Sequence, residues 1–82
     1  MPHTQRKFTL CLWNATSINN KEIELNYFLH KHQIDIALIT ETWLAPNTTI
    51  RFSGYDVIRV DSPGVRAGGV AAIVKRNTRG VS

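Results

Sequence analysis

The sequence predicts an α/β fold built on a strand–helix–strand crossover, and three observations carry that expectation. Two short β-prone runs, 8–13 and 34–40, bracket a segment with helical periodicity. Both runs are apolar at consecutive rather than alternating positions, the pattern of strands covered on both faces. Two more β-prone runs, 55–60 and 69–75, follow with no second helical segment between them. A strand, a helix and a strand in that order imply parallel pairing of the first two strands.

Residues 1–7 are polar and are expected to be a disordered tail. The first strand, 8–13, holds Cys11, which is the one cysteine of the 82-residue chain. A buried, inert thiol is the expectation there, and a reducing compartment follows from the lack of any possible disulfide framework. Residues 14–20 are polar and read as a loop. Asn19 with Glu22 three positions later matches a capping box, so the helix is expected to start there. Leu25, Phe28 and Leu29 form an i, i+3, i+4 seam, which Ile23 and Tyr27 widen. His30, Lys31 and His32 fit the last turn, where positive charge suits the helix dipole.

The second strand spans 34–40. A loop broken by Pro46 and Gly54 follows, over 41–54. The third strand, 55–60, offers Tyr55, Val57 and Ile58 as core candidates. The Pro- and Gly-containing stretch 61–68 reads as a turn, so strands 55–60 and 69–75 are expected to pair antiparallel. Four apolar strands and one helix cannot cover both faces of a sheet. Residues 8–82 are therefore expected to be a fragment of a larger domain, incomplete on its C-terminal side. The alternative is a small α+β domain that folds alone.

Composition narrows the function classes. The hydrophobic share of 43% excludes a disordered chain, and a net charge of +4 with a pI near 9.7 suits a polyanionic partner. Much of that charge sits at the two ends, in Arg6, Lys7, Lys75, Arg76 and Arg79. No run reaches membrane-spanning length, and the N-terminus lacks the apolar stretch of a secretory signal. An intracellular location is the expectation, with no membrane partner. The glycosylation patterns at Asn14 and Asn47 then read as chance matches.

Two side chains stand at the carboxyl ends of the strands that flank the helix: Asn14 after the first and Glu41 after the second. Open α/β sheets bind ligands at that edge. A carboxylate beside an amide there can seat a hard cation such as Mg2+, which often takes one or two protein carboxylates and keeps several waters. The competing reading makes Asn14 a turn cap and Glu41 a solvent-facing charge.

An ordered series of residues adds to this reading. It runs Leu12-Trp13-Asn14-Ala15, Glu24-Leu25, Phe28-Leu29, then residues 34–44 with Thr40-Glu41-Thr42-Trp43-Leu44, then Tyr55 and Arg66-Ala67-Gly68-Gly69-Val70-Ala71. This series resembles the N-terminal part of the endonuclease/exonuclease/phosphatase superfamily. Within it, the series is most similar to the endonuclease domain of jockey-type non-LTR retrotransposons, which precedes a reverse transcriptase. The resemblance implies a partial four-layered α/β sandwich: two packed sheets, helices outside, and the active site at one end. It implies that Glu41 binds Mg2+ and that Asn14 helps place metal or phosphate. Arg66, Gly68 and Gly69 would border the substrate face, with Trp43 a further substrate candidate. Two departures stand out. Ala67 replaces a glycine of the family's triplet, and Thr16 stands where many relatives carry arginine or asparagine, so one phosphate contact is in doubt.

The chemistry implied for a complete domain is Mg2+-dependent hydrolysis of a phosphodiester in target DNA. The metal would stabilise charge on the leaving 3′-oxygen, a carboxylate would activate water, and a histidine paired with an aspartate would orient the phosphate. The nick would leave a 3′-hydroxyl to prime reverse transcription, in the nucleus. The family's Asp-x-Asn and Ser-Asp-His motifs are not in this sequence, so the chain alone is expected to be inactive. His3, His30, His32, Asp35, Asp56 and Asp61 read as tail, helix-end, strand-edge or turn residues, and Trp13 as core. The alternatives are a fragment of a cellular nuclease or phosphoesterase of the same superfamily, and a non-catalytic nucleic-acid-binding remnant.

Overall fold

The computed structural model describes residues 8–61 and 68–76. The expected tail at 1–7, Arg66 and Arg79 lie outside the described residues. The elements are β1 (Leu10–Asn14), α1 (Glu22–Lys31), β2 (Ile36–Thr40), β3 (Tyr55–Val60) and β4 (Val70–Lys75). They form one mixed sheet in the order β1-β2-β4-β3. β1 and β2 pair parallel around the helical crossover, as the sequence predicts, and β3 and β4 pair antiparallel. The sequence did not foretell that β4 returns to lie between β2 and β3, antiparallel to both. β4 thereby carries the centre of the sheet. Its Ala71 and Ile73 sit opposite Ile39 and Ala37, and all four are buried.

One face of the sheet holds the core. Leu25 and Leu29 of α1 join Ala37, Ile39, Ala71, Ile73 and Tyr55 in a single buried cluster, with Cys11, Trp13 and Val57 packed against it. Burial of each such leucine contributes on the order of 2 kcal/mol. The expectation of doubly covered strands is corrected here. In β1, Leu10 and Leu12 are 53% and 72% exposed while Cys11 and Trp13 turn inward. Register carries that exposed row across the sheet, from Leu12 through Leu38 and Ala72 to Ile58. Ile58, expected in the core, is 64% exposed for this reason. No described segment covers this second face. Consecutive apolar residues in a strand therefore mark two apolar faces, of which one is covered here.

The helix also departs from expectation. It starts after Lys21, with no side-chain cap, so the capping box of Asn19 and Glu22 does not form. Asn20 takes a left-handed conformation (φ 67°), and this turn separates Asn19 from the first helical residues. Asn19 instead donates through Nδ2 to the Ser17 hydroxyl and the Trp43 carbonyl. The apolar face is narrower than predicted: Ile23 is 86% exposed, and Tyr27 lies outside beneath the Lys31 ammonium. Much of the remaining core comes from loops, with Ala15, Ile18, Leu44, Ile50 and Phe52 all buried.

Candidate functional site

The carboxyl edge of the parallel pair is a layer of three chain segments tied by backbone hydrogen bonds. The Ala15, Ser17 and Ile18 amides donate to the carbonyls of Thr40, Glu41 and Thr42, at 2.9, 2.8 and 3.0 Å. On the other side, the Thr42 and Trp43 amides donate to Gly69 and Gly68, at 3.3 and 2.9 Å. The segment carrying Glu41 is thus held between the loop that follows β1 and the glycine pair that precedes β4. Three of the sequence-predicted features, Asn14 with its loop, Glu41 with Trp43, and Gly68-Gly69, meet at this edge.

The backbone here is unusual. Thr16, Ser17, Glu41 and Trp43 all have positive φ (48°, 86°, 55° and 56°). Each such residue costs roughly 1 kcal/mol relative to ordinary backbone. Gly69 shows why the neighbouring segment needs glycine. Its φ is 91°, and a Cβ there would stand 2.5 Å from the Thr42 hydroxyl oxygen. Thr42 itself is fully buried, and its hydroxyl has no hydrogen-bond partner among the described residues.

Glu41 is partly buried and its carboxylate is oriented. Oε1 accepts from the Trp43 indole Nε1–H at 2.8 Å and from the Gly68 amide at 3.2 Å. Oε2 accepts no hydrogen bond among the described residues. Asn14 lies opposite Thr40 in the parallel register, one residue before Glu41. Its Oδ1 accepts from the Thr16 hydroxyl at 3.1 Å. The oxygen donors, Glu41 Oε2 and Asn14 Oδ1, are of the kind a hard divalent cation takes, and one carboxylate suffices for Mg2+ with its waters. No group of three or more His, Cys, Asp or Glu forms among the described residues.

The remaining acids and histidines lie elsewhere. Asp35 accepts the Thr9 amide at 2.8 Å and its carbonyl accepts the Lys75 amide, at the opposite end of the sheet. The His30 ring sits between the Asn26 and Ser53 carbonyls. Arg59, which the sequence reading did not single out, pairs with Asp61 at 2.9 Å and donates to the Ala45 carbonyl at 3.0 Å. It braces the loop that follows Trp43. An arginine inside a mostly apolar strand was the available signal. An apolar hollow of about 390 Å3 between the edge of β1 and α1, lined in part by Cys11, Trp13, Leu25 and Phe28, does not include Glu41. It is the flank of an edge strand, and the carboxylate geometry is the better guide to chemistry.

Comparison with known proteins agrees with this architecture. No protein-family model matches the chain. The chain is 37% identical over 73 residues to the RNA-directed DNA polymerase from mobile element jockey of Drosophila melanogaster, covering 88% of this chain. It is 32% identical over 73 residues to the probable RNA-directed DNA polymerase from transposon BS, and 31% over 70 residues to that from transposon X-element, both of the same organism. In each case it spans 8% of the relative's length. Among solved structures, the catalytic domain of Xenopus laevis APE2 superposes with a TM-score of 0.63 at 23% identity, covering 80% of this chain and 23% of that one. The chain thus has relatives among jockey-type retrotransposon RNA-directed DNA polymerases, and it folds as part of the α/β sandwich that the APE2 domain contains.

Proposed function

We propose that this chain is the opening part of a Mg2+-dependent endonuclease domain of a jockey-type non-LTR retrotransposon, one that nicks target DNA and leaves a 3′-hydroxyl primer for reverse transcription. The observation that carries the reading is Glu41: a carboxylate at the carboxyl end of a parallel strand, fixed through one oxygen while the other accepts no hydrogen bond among the described residues. The similarity to mobile-element polymerases supports the biological setting, and the shared fold supports the placement of the site. Mg2+, when bound, would stabilise negative charge on the phosphodiester and its leaving oxygen. Glu41 and Asn14 would hold it, and the amides and glycines of the edge would keep that carboxylate in one orientation. Arg66 and Trp43 are the proposed substrate-facing residues. The full domain's partners are the DNA target and a downstream reverse transcriptase. The described residues supply no histidine at this edge, so cleavage belongs to a domain containing the further motifs.

The test is nicking of supercoiled plasmid by a complete jockey-type endonuclease domain whose first segment is replaced by residues 8–76 of this chain. Mg2+-dependent nicking is expected, with a fall of at least about 100-fold in Glu41→Ala, in line with the loss of a metal ligand. The 82-residue chain alone should leave the plasmid supercoiled. Undiminished nicking by Glu41→Ala at the same magnesium concentration overturns the proposal.

A further inference from the structure

We propose that Trp43 is a positioning residue for Glu41, fixing the carboxylate so that it offers a cation one oxygen; this rests on the reading of Glu41 as a metal ligand. Three observations converge on it. First, the indole Nε1–H and the Gly68 amide both donate to Oε1, at 2.8 and 3.2 Å. Two donors occupy that oxygen's acceptor sites, and a charge-assisted bond of this length is among the stronger kinds. Oε2 is left without a donor among the described residues, so the carboxylate is set up for monodentate ligation. Second, Glu41 and Trp43 are both left-handed, at φ 55° and 56°. A bulky aromatic residue adopts that conformation at a cost of roughly 1 kcal/mol, which the surrounding structure must hold in place. Third, the holding contacts are present. The Trp43 amide bonds Gly68, its carbonyl accepts from Asn19 Nδ2 at 3.4 Å, and the intervening Thr42 is fully buried.

The substrate-facing role proposed for Trp43 above would use the face of the same ring, stacked on a base. The two roles separate chemically. Stacking uses the ring face and survives replacement by phenylalanine. Positioning uses the N–H and does not. A group hydrogen-bonded behind a metal ligand typically contributes 10- to 100-fold to metal affinity, roughly the size of effect to look for.

The experiment uses Mn2+ as the probe, with binding to the 82-residue chain followed by loss of the free-ion electron paramagnetic resonance signal. Wild type, Trp43→Phe, Glu41→Gln and the double variant are compared. The expected result is saturable binding by wild type, loss in Glu41→Gln, and weakening by about 10-fold or more in Trp43→Phe. The double variant should be no worse than Glu41→Gln. If Trp43→Phe binds like wild type while Glu41→Gln does not, the positioning role is overturned and the metal seat stands. If wild type shows no saturable binding, or Glu41→Gln binds like wild type, the metal seat fails and the positioning role fails with it. A second measurement covers the case in which Trp43→Phe does not fold. The Trp43 indole N–H proton should resonate downfield in wild type and move upfield in Glu41→Gln, while that of Trp13 stays in place. An unmoved Trp43 resonance overturns the proposal.

Discussion

The two ends of the sheet are built on opposite principles. At the carboxyl edge of β1 and β2, four non-glycine residues are left-handed, and among the described residues a buried threonine hydroxyl lacks a partner and one carboxylate oxygen accepts no hydrogen bond. At the other end the polar groups named next meet their partners, and the second buried polar atom that lacks one among the described residues, Asn26 Oδ1, lies midway along α1. Asp35 ties Thr9 and Lys75 together, and the buried Tyr55 hydroxyl donates to the Ile34 carbonyl at 2.7 Å, with the Leu29 carbonyl at 3.2 Å. The left-handed residues there, Gln33 and Gly54, sit in the connections between elements. Strain collected at one end and polar satisfaction at the other is the distribution expected where one end acts and the other supports it.

Three substitutions test that contrast. Gly69→Ala should have the largest effect, because its Cβ meets the Thr42 hydroxyl and its φ of 91° disfavours any side chain. A loss of about 2–4 kcal/mol in urea denaturation is expected. A loss under about 0.5 kcal/mol would mean the glycine edge is not tightly constrained.

Tyr55→Phe addresses the supporting end. Removing the hydroxyl strands the Ile34 carbonyl, while the Leu29 carbonyl keeps the Ile34 amide as its donor, and should cost about 1–2 kcal/mol. It also carries a pH signature. Burial first, and the Asp35 charge second, raise the Tyr55 pKa above its ordinary 10.0. The folded state therefore keeps its proton longer than the unfolded chain does. This contribution is intact below about pH 10 and is lost as pH rises through the higher folded value. The difference in stability between wild type and Tyr55→Phe should shrink across that alkaline range. A constant difference would show that the hydroxyl does not titrate differently on folding.

Thr42→Val should have the smallest effect. Its hydroxyl has no described partner, so an equally shaped apolar side chain should leave stability unchanged or raise it by up to about 1 kcal/mol. A clear destabilisation would show that the hydroxyl has a partner and would blur the contrast between the two ends.

These features were unequally legible in the sequence. The parallel β1–α1–β2 unit was readable, because apolar runs around a Leu25–Leu29 seam leave few other arrangements. The insertion of β4 between β2 and β3 was not, because pairing partners leave no mark in single-strand composition. The loop-borne core of Ile18, Leu44, Ile50 and Phe52 was equally hidden, since residues outside regular elements have no repeat that separates inside from outside. The capping box failed on one dihedral angle, at Asn20. At the candidate site, Asn14 and Glu41 could be picked out as polar residues ending apolar strands. The indole-to-carboxylate bond could not, because it depends on left-handed backbone at both Glu41 and Trp43, which neither residue type suggests.

The bare face of the sheet has a consequence in time. If this segment is the front of a longer protein, it leaves the ribosome first. Synthesis runs at about 5–20 residues per second, so the next hundred residues take on the order of 5–20 seconds. Through that interval Leu10, Leu12, Leu38, Ile58, Val60 and Val70 present one continuous apolar surface to solvent. A nascent chain in this state is a substrate for chaperones. The yield of folded protein is then set by how quickly that surface meets its cover, and much less by the strength of the final packing.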